Sequence, residues 1–349
     1  MRQARPINSA PLLWRARTHY SMKAFIQRNY GPPEQLTLTE VPVPRPRAGE
    51  VLVKIYSAAV NDYDWAMVTG IPRIYRLLYG LRRPKHPIPG MELSGTVSAV
   101  GPGFSRFAPG DAVYGDLSDH GFGTYAEYVC IKQEALVPKP VEMSFDEAAA
   151  IPHATMLAWQ GLVEVGKLQT GERLLVNGGG GGVGTFALQM AKHIGASVTG
   201  VDTGPKLAKM LELGFDEVID FKQDDFTRSG RQYDLILDCK SSHAPFALAR
   251  VMAKGGRYVT VGGTVPRLIQ ILLFGWLVRL FTGKSLRIVA LKPNRDLDIV
   301  RELFIGGKLV CVLDGPHSMK DAPGLLRRFG EGGHCGKIVM RADGLSDSD

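Results

Sequence analysis

A run of five consecutive glycines contains the residues whose types and spacing most directly indicate a chemistry. Gly179, Gly181 and Gly184 satisfy the pattern G-x-G-x-x-G between an apolar strand and an amphipathic helix. In that setting the first glycine permits a tight turn, the second lets a pyrophosphate approach the backbone, and the third lets the helix pack closely on the sheet. The N–H groups of Gly182 and Val183 would face the phosphates at the positive end of the helix. The pattern predicts a dinucleotide site; the alternative is a glycine-rich connection that binds nothing.

Two charged residues after the next strand bear on which dinucleotide binds. Asp202 lies 18 residues beyond Gly184, where an acid usually accepts hydrogen bonds from the ribose hydroxyls of NAD and repels a 2′-phosphate. Lys206, four residues later, would instead pair with the 2′-phosphate of NADP. In the alternative interpretation, Asp202 caps the next helix and Lys206 lies on its solvated face. The sequence leaves NADP(H) and NAD(H) both open.

The elements that position these residues alternate between strand and helix from about residue 152. In a predicted helix at 185–194, apolar residues recur at the i, i+3, i+4 and i+7 spacing of one helix face, and Gly195 follows its end. Strands are predicted at 174–176, 198–201, 217–219, 235–237, 258–261 and 286–291, and further helices at 206–213 and 246–253. Six strands with helical crossovers predict an α/β fold with a doubly wound parallel sheet of the Rossmann type.

A β-rich unit surrounds this sheet in the sequence. Between residues 22 and 152, short apolar segments such as 51–56 and 93–100 are separated by many prolines and glycines. After Pro293, a helix at 297–305 and short strands resume that mixed character. We therefore assign residues 22–147 and 293–342 to the β-rich unit, residues 148–292 to the parallel sheet, and residues 1–21 to a disordered extension.

Composition excludes several classes of protein. With 45% hydrophobic and 22% charged residues, the 349-residue chain is an ordinary globular sequence of about two domains. Half of its net charge of +8 comes from four arginines in residues 1–21, so nucleic acid is not expected as a partner. The longest apolar run, 268–281, has 14 residues where a membrane span needs about 20, so no transmembrane helix is predicted. Four cysteines without a C-x-x-C pair are typical of reduced thiols, and we expect a cytoplasmic location.

Eight segments together resemble the zinc-free, quinone oxidoreductase-like branch of the medium-chain dehydrogenase/reductase superfamily, across residues 22–342. The segments are MKAFIQRNYGPPEQLTLTEVPVPRPRAGEVLVKI from Met22, NDYDW from Asn61, PGMELSGTVSAVG from Pro89, GTYAEY from Gly123, the glycine loop, VTVGG from Val259, LKPNRD from Leu291 and GKIVM from Gly336. The resemblance implies a GroES-like β-rich catalytic domain, a Rossmann domain that binds NAD(P), and a cleft between them. It also implies that Gly262, in the segment VTVGG, is a cofactor-binding residue.

The chain departs from the zinc-dependent relatives of this family at the metal ligands. Those relatives bind zinc through a cysteine in the segment matching residues 61–64 and a His-Glu pair after the glycine matching Gly90. Here Asn61 and Met91 stand at the cysteine and histidine positions, and neither is a good zinc ligand. We therefore expect no zinc and no other metal. The reaction consistent with these residues is hydride transfer to a quinone or an α,β-unsaturated carbonyl, because such acceptors are already electrophilic.

Asn61, Tyr63 and Asp64 match the Asn-x-x-Asp segment of the family and are the candidate catalytic residues. We expect the Asn61 amide to donate to the substrate oxygen and Asp64 to anchor it. Tyr63 is a candidate proton donor, and water is the other source of the proton. Alternatively, the three residues form a hydrogen-bonded turn that supports the cleft wall.

The sequence thus predicts a zinc-independent, NAD(P)H-dependent oxidoreductase that reduces quinones or enones. The alternative is a nucleotide-binding but catalytically idle family member that acts as a binding or sensor protein.

Two segments, 65–89 and 266–292, are apolar and basic and contain no acidic residue. Because the matching segments of the family border the cleft and the dimer edge, we interpret them as a lid and a subunit interface of a homodimer. The alternative is docking on an anionic membrane surface to reach a lipophilic quinone.

Overall fold

The computed structural model describes residues 20–345, in which two large sheets each carry an apolar core. The strands are β1 (Ser21–Ile26), β2 (Thr37–Pro42), β3 (Glu50–Ala59), β4 (Glu92–Val100), β5 (Ala112–Asp116), β6 (Tyr128–Lys132), β7 (Val137–Pro138), β8 (Arg173–Asn177), β9 (Ser197–Asp202), β10 (Glu217–Asp220), β11 (Tyr233–Asp238), β12 (Met252–Thr260), β13 (Ser285–Ile288), β14 (Leu313–Ser318) and β15 (Lys337–Arg341). The helices are α1 (Asp62–Thr69), α2 (Tyr75–Tyr79), α3 (Phe145–Ala150), α4 (Pro152–Trp159), α5 (Gly182–Ile194), α6 (Gly204–Leu213), α7 (Pro245–Arg250), α8 (Val265–Thr282), α9 (Leu297–Ile305) and α10 (Ala322–Gly330).

Six strands form a wholly parallel sheet in the order β10-β9-β8-β11-β12-β13. The central residues of strand β8, 174–176, are apolar because both faces of the strand are covered there. Leu174 and Val176 belong to the core that also contains residues of α4 and α5, whereas Leu175 belongs to the core that contains residues of α7 and α8. The predicted doubly wound parallel sheet is confirmed.

The β-rich unit is built on a seven-stranded sheet in the order β14-β15-β3-β4-β5-β7, with β6 paired to β3. β1 and β2 form a separate antiparallel pair. β15 comes after the parallel sheet in sequence yet pairs antiparallel with β3, so the chain returns to the β-rich unit as predicted. The domain boundaries at residues 147 and 293 remain predictions.

Several element bounds differ from the predicted ones. The predicted helix at 246–253 is too long, because α7 ends at Arg250 and Met252 already begins β12. The apolar residues there satisfy a buried strand as well as a helix, and periodicity cannot separate the two. The last parallel strand ends at Ile288 rather than at residue 291. β1 begins at Ser21, inside the predicted extension, and residues 1–19 lie outside the described part of the chain.

Helix α8 is the largest departure from the sequence-based expectation. It has 18 residues rather than the 14 of the apolar run, and by length and composition alone it could cross a membrane. Length and composition alone do not test the prediction that the chain has no transmembrane helix, which stays a prediction. Its two ends lead into β12 and β13, which are parallel neighbours in one sheet. In this fold α8 consequently lies beside the sheet as a crossover helix.

Candidate active site

One cleft between the two sheets collects predicted residues from both units. Its volume is about 380 Å³, within the range of small-molecule sites. Asn61 and Tyr63 line it on the β-rich side. The predicted residues that line it on the other side are Gly181, Gly182, Val183, Asp202, Lys206 and Gly262. Gly179, Gly184 and Asp64 lie behind this surface.

The glycine loop contains a tight turn from Gly178 to Gly181. The N–H of Gly181 donates to the carbonyl oxygen of Gly178 at 3.2 Å, so Gly179 is a central residue of this turn. Gly178 opens the turn with a φ of +92°, a left-handed conformation that favours glycine. Gly179 is also required for space, because a Cβ there would lie 2.8 Å from Cε of Met210.

The remaining glycines of the motif differ in what surrounds them. A Cβ on Gly184 would lie 2.4 Å from the carbonyl oxygen of Gly178, so the first turn of α5 packs directly on the loop. Gly181 precedes α5, and the nearest described atom to a Cβ there would be 3.5 Å away. Gly181 lines the cleft, and the N–H groups of Gly182 and Val183 at the helix N-terminus would hold a pyrophosphate beside it.

His334 provides independent support for a ligand in this half of the cleft. Its ring lines the cleft, stacks on Phe329 at 4.9 Å between ring centroids, and is 6% exposed. Burial, and then the charges of Lys206 and Lys240, lower the pKa of His334 to about 3, so the ring is neutral. Its Nδ1 atom is buried and has no hydrogen-bond partner among residues 20–345. Such an atom is costly to leave unpaired, and a bound dinucleotide would offer a partner.

Asp202 and Lys206 face each other where the adenosine end of a dinucleotide is expected. One Asp202 oxygen accepts the N–H of Gly180 at 2.9 Å, and the other accepts the N–H of Thr203 at 2.8 Å and lies 3.0 Å from Nζ of Lys206. The N-cap of α6 is Thr203, so the alternative in which Asp202 caps this helix is wrong. The Lys206 side chain is only 10% exposed, which also excludes a solvated helix face.

Asn61 and Asp64 build the N-terminus of α1 on the opposite wall. Asn61 is the N-cap, and its backbone N–H donates to Oδ2 of Asp64 at 2.9 Å. Short polar side chains favour this position because they engage the first turn of a helix. Asp64 is fully buried, and burial raises its pKa to about 7 against the opposing effect of that hydrogen bond. The sequence-predicted turn and the contact between the two residues are therefore both present.

A buried ion pair lies behind Asn61. Oε2 of Glu92 is 2.9 Å from Nζ of Lys337 and accepts from Nδ2 of Asn61 at 3.0 Å. Lys337 also donates to Oδ1 of Asn61. The other Glu92 oxygen accepts the backbone N–H of His153 at 2.8 Å. Glu92 is inaccessible to solvent and Lys337 is 5% exposed, so the pair fixes both polar atoms of the Asn61 side chain.

His153 adds a second positive charge to this wall. Its Nδ1 lies 2.8 Å from Oδ2 of Asp116 and its Nε2 lies 3.3 Å from Oδ1 of Asp62. Burial alone would lower the pKa of His153, but the two carboxylates raise it to about 10. Tyr63 packs edge-on against this ring at 5.7 Å. Burial, and then the charge of Asp62, raise the pKa of Tyr63, so its hydroxyl remains protonated at neutral pH.

The positions matching zinc ligands carry different chemistry here. Met91 is fully buried, and Glu92, which matches the glutamate of the His-Glu pair, is bound to an ammonium group. Within residues 20–345, no group of three or more His, Cys, Asp or Glu side chains is placed to hold a metal ion. Glu92, Lys337 and His153 belong to this site although the sequence did not predict them as site residues. Glu92 and Lys337 stand in the segments PGMELSGTVSAVG and GKIVM that carried the family resemblance, whereas no pattern marked His153.

Comparisons with known proteins agree with this architecture. The family models described as "Alcohol dehydrogenase GroES-like domain" and "Zinc-binding dehydrogenase" match residues 47–141 and 182–291. The 2-methylene-furan-3-one reductase of Solanum lycopersicum is 30% identical over 91% of this chain and 79% of its own length. The chloroplastic quinone-oxidoreductase homolog of Spinacia oleracea is 30% identical over 89% of this chain and 95% of its own. The quinone oxidoreductase structure from Coxiella burnetii has a TM-score of 0.81 and 25% identity, covering 93% of this chain and 100% of that one.

The chain therefore belongs to the medium-chain dehydrogenase/reductase superfamily, in its quinone oxidoreductase-like branch. This confirms the predicted combination of a GroES-like domain with a Rossmann domain. It also makes a nicotinamide dinucleotide the class of cofactor. The spinach relative is described as chloroplastic, so the expected cytoplasmic location of this chain has no support among these relatives.

Proposed function

We propose that this protein is an oxidoreductase that uses NAD(P)H, without zinc, to reduce quinones or α,β-unsaturated carbonyls. The observation that carries this proposal is the shared cleft, in which the glycine loop lies on one wall and the Lys337 ammonium group and the Asn61 amide lie on the other. The bound nicotinamide would supply a hydride. The wall opposite it must then stabilise the negative charge that develops on the acceptor oxygen.

Lys337 and Asn61 are the groups we assign to that oxygen. Both line the cleft, and the ion pair with Glu92 holds the ammonium group in place before substrate binds. One of the three ammonium protons points to Glu92 and one to Asn61, which leaves a donor for the substrate. The positive charge of His153 is balanced by its own carboxylate partners, Asp116 and Asp62, so we assign His153 no direct part in stabilising that oxygen. A preorganised donor set of this kind stabilises an enolate or phenolate without reorganising during the reaction.

The proton has a separate source in this proposal. Because its pKa is raised, the Tyr63 hydroxyl is a poor acid, and it keeps its proton to donate in a hydrogen bond. We therefore assign Tyr63 to orienting the substrate and take the proton from water in the cleft. Asp64 acts as a positioning residue, since it does not reach the cleft and holds the backbone N–H of Asn61.

We propose NADP(H) as the dinucleotide. The oxygens of Asp202 are already engaged by two backbone N–H groups and by Lys206, so ribose hydroxyls would have to displace existing bonds. Lys206 and Lys240 both line this end of the cleft and offer positive charge to a 2′-phosphate.

Lys206→Met should weaken NADPH binding about 10- to 100-fold and change NADH binding little. Lys209→Met, in the same helix at an exposed ion pair with Glu212, is the matched control.

A homodimer remains part of the proposal. β13 is an edge strand of the parallel sheet, and its outer side has no pairing strand in the described part of the chain. An open edge of this kind is a template for pairing with a second copy. Light scattering of the purified protein measures the oligomeric state directly.

The deciding experiment is NADPH consumption by the purified protein with a naphthoquinone, with a simple enone and with ethanol plus NADP⁺. We expect turnover with the quinone or the enone and none with ethanol. Tight dinucleotide binding without turnover across a broad set of acceptors would instead indicate the catalytically idle alternative. Brisk ethanol oxidation would contradict the proposal.

A further inference from the structure

Exposed apolar side chains are concentrated in two segments of the surface. Of the 23 large apolar side chains that are exposed among the described residues, 12 belong to residues 71–81 and 269–281. We call these 12 side chains the apolar rim. They are Ile71, Ile74, Leu77, Leu78, Leu81, Ile269, Leu272, Leu273, Phe274, Trp276, Leu280 and Phe281. Soluble monomers rarely leave apolar groups exposed in such concentration without a binding role.

Helix α8 supplies the larger part of the rim. Of its 18 residues, only Ile271 and Val278 are buried, and they anchor the helix. The helix is about 27 Å long, and Leu272 and Phe281 are 70% and 73% exposed. An amphipathic helix needs only a narrow stripe to pack on its own domain. The remaining apolar circumference of α8 is thus available to a partner.

The two parts of the rim border the mouth of the same cleft. Ile71 and Tyr75 line the cleft from the first segment, and Leu268, at the N-terminal end of α8, lines it from the second. Ile288, in the strand that follows α8, is also a lining residue. A surface that covered the rim would therefore lie next to the entrance of the active site.

The charge of these segments selects the partner. Residues 65–89 and 266–292 contain no acidic side chain. Arginines 73, 82, 83, 279 and 287 are exposed within them. Two copies that met through this face by a two-fold axis would bring like charges together. An anionic lipid surface offers the opposite charge together with an apolar interior, and exposed Trp276 suits the interface between headgroups and chains.

We propose that the apolar rim docks the folded protein on the surface of an anionic lipid bilayer, with the mouth of the cleft at the lipid interface. The helix lies along the surface and does not span the bilayer, because both its ends are tied into the parallel sheet. A further consequence, which rests on the proposed function, is that the substrate is a quinone or enone dissolved in the lipid.

Vesicle co-sedimentation tests the docking without any enzymatic assay. The probes are vesicles of phosphatidylcholine alone and of phosphatidylcholine with phosphatidylglycerol, each at low and at high salt. We expect binding only with the anionic lipid, weakened by salt. Replacing Leu272, Trp276 and Phe281 together by serine should reduce binding about tenfold or more. The matched control carries Phe104→Ser and Val141→Ser, which lie outside the rim and are 85% and 91% exposed.

Replacing Arg82, Arg83 and Arg279 together by glutamine should weaken the dependence on anionic lipid while leaving the oligomeric state unchanged. If the wild-type protein binds neutral and anionic vesicles equally, or binds neither, the proposal is overturned. A change of oligomeric state caused by the serine variant also overturns it, because that outcome would make the rim a contact between copies.

A water-soluble naphthoquinone separates this proposal from the proposed function. The serine variant should keep wild-type NADPH oxidation with that acceptor and lose it with a long-chain quinone carried in the anionic vesicles. Equal loss with both acceptors would contradict the docking role. If neither the wild type nor the variant turns over any acceptor, the proposed function fails while the co-sedimentation result still decides the docking.

Discussion

Lys337 can carry its positive charge at the buried wall of the cleft because Glu92 balances that charge. Neither group reaches bulk solvent, and a buried charge without its partner carries a large desolvation penalty. The same contact directs Lys337 toward Asn61, which lies 276 positions away in the sequence. A stabilising role and a role at the substrate oxygen are therefore superimposed on one side chain, and a single substitution cannot distinguish them.

A double variant separates the two roles of Lys337. Lys337→Met should lower the free energy of unfolding by about 3–5 kcal/mol and kcat by about 10²- to 10³-fold. Adding Glu92→Gln removes the unpaired charge, so we expect part of the stability to return without recovery of kcat. Urea unfolding and steady-state kinetics on the same preparations measure both quantities. A double variant that regained kcat with its stability would assign Lys337 a structural role alone.

Asp64 should make the stability of the protein depend on pH. Its pKa in the folded state is about 7, above the ordinary value of 3.8, so the folded chain holds a proton that the unfolded chain releases. Its neutral form therefore favours folding at low pH, and this contribution is lost as the pH rises from about 4 to about 7. Asp64→Asn should remove that loss. Above pH 7 the variant should have a higher free energy of unfolding than wild type, by about 1.4 kcal/mol for each unit by which folding raises the pKa of Asp64.

Urea unfolding of wild type and Asp64→Asn at pH 5 and pH 8 checks this expectation. The comparison of the two proteins cancels the titration of other groups, including the raised pKa of His153. Equal stability differences at the two pH values would mean that Asp64 is ionised throughout, and would contradict the expected neutral form.

Residues close together in sequence were the ones that sequence analysis could place. Asn61 and Asp64 are three residues apart, and a helix N-terminus brings such a pair together by local geometry alone. Glu92, His153 and Lys337 come from three distant segments, so their meeting depends on the completed fold. Residue types alone could not predict that an ammonium group from a distant segment would bind Glu92.

At the scale of elements, the periodic helices were predictable and the uniformly apolar one was not. Helix α9 matches its predicted bounds because its apolar residues recur on one face. α8 has apolar residues around most of its circumference, so no 3.6-residue period marks it as a helix. The end of α7 was predicted too late in the sequence. Residues 251–253 are all apolar, and such a run is typical of a buried strand as well as of a buried helix.

The N-terminus of α5 gives a matched pair of glycine substitutions. Gly184→Ala should lower the free energy of unfolding by about 1–3 kcal/mol, because the new methyl group meets backbone atoms of the loop that cannot move aside. Gly181→Ala should leave stability nearly unchanged, since the added Cβ meets no described atom closer than 3.5 Å, but should weaken dinucleotide binding about tenfold or more by occupying the place of the pyrophosphate.

Thermal unfolding and a fluorescence titration with NADPH measure the two effects separately. The expected pattern is a lower Tm with Gly184→Ala and a raised Kd with Gly181→Ala. Unchanged NADPH affinity in the Gly181 variant would place the dinucleotide elsewhere in the cleft.

At the scale of the whole molecule, the two units meet at the glycine loop itself. Gly336, just before β15, donates its N–H to the carbonyl oxygen of Gly180 at 2.8 Å, and Gly181 forms a bridge with Gly336. The change of composition after Pro293 was enough to predict that the chain returns to the β-rich unit. The same change of composition could not predict that the returning segment would bind the glycine loop. That contact is made by backbone atoms, so no side-chain pattern in the sequence marks it.

Gly336→Ala should therefore disturb the cleft, which Gly336 lines beside the glycine loop. Gly336 has a φ of +76°, and a Cβ there would lie 2.1 Å from the carbonyl oxygen of Val312, so the segment must shift. Gly332→Ala is the matched control, because Gly332 has a φ of +71° and no described atom within 4 Å of its Cβ position. Both variants should lose about 1–2 kcal/mol through backbone strain, and Gly336→Ala should lose more.

Only the Gly336 variant should also bind NADPH more weakly, because its contact with Gly180 supports the loop. Saturating NADPH stabilises a folded protein by an amount set by its Kd, about 2.7 kcal/mol at a hundredfold excess over Kd. At one fixed NADPH concentration, we thus expect the rise in Tm to persist in Gly332→Ala and to shrink in Gly336→Ala. An equal rise in both would mean that the loop keeps its shape without the returning strand, and that each unit builds its half of the cleft alone.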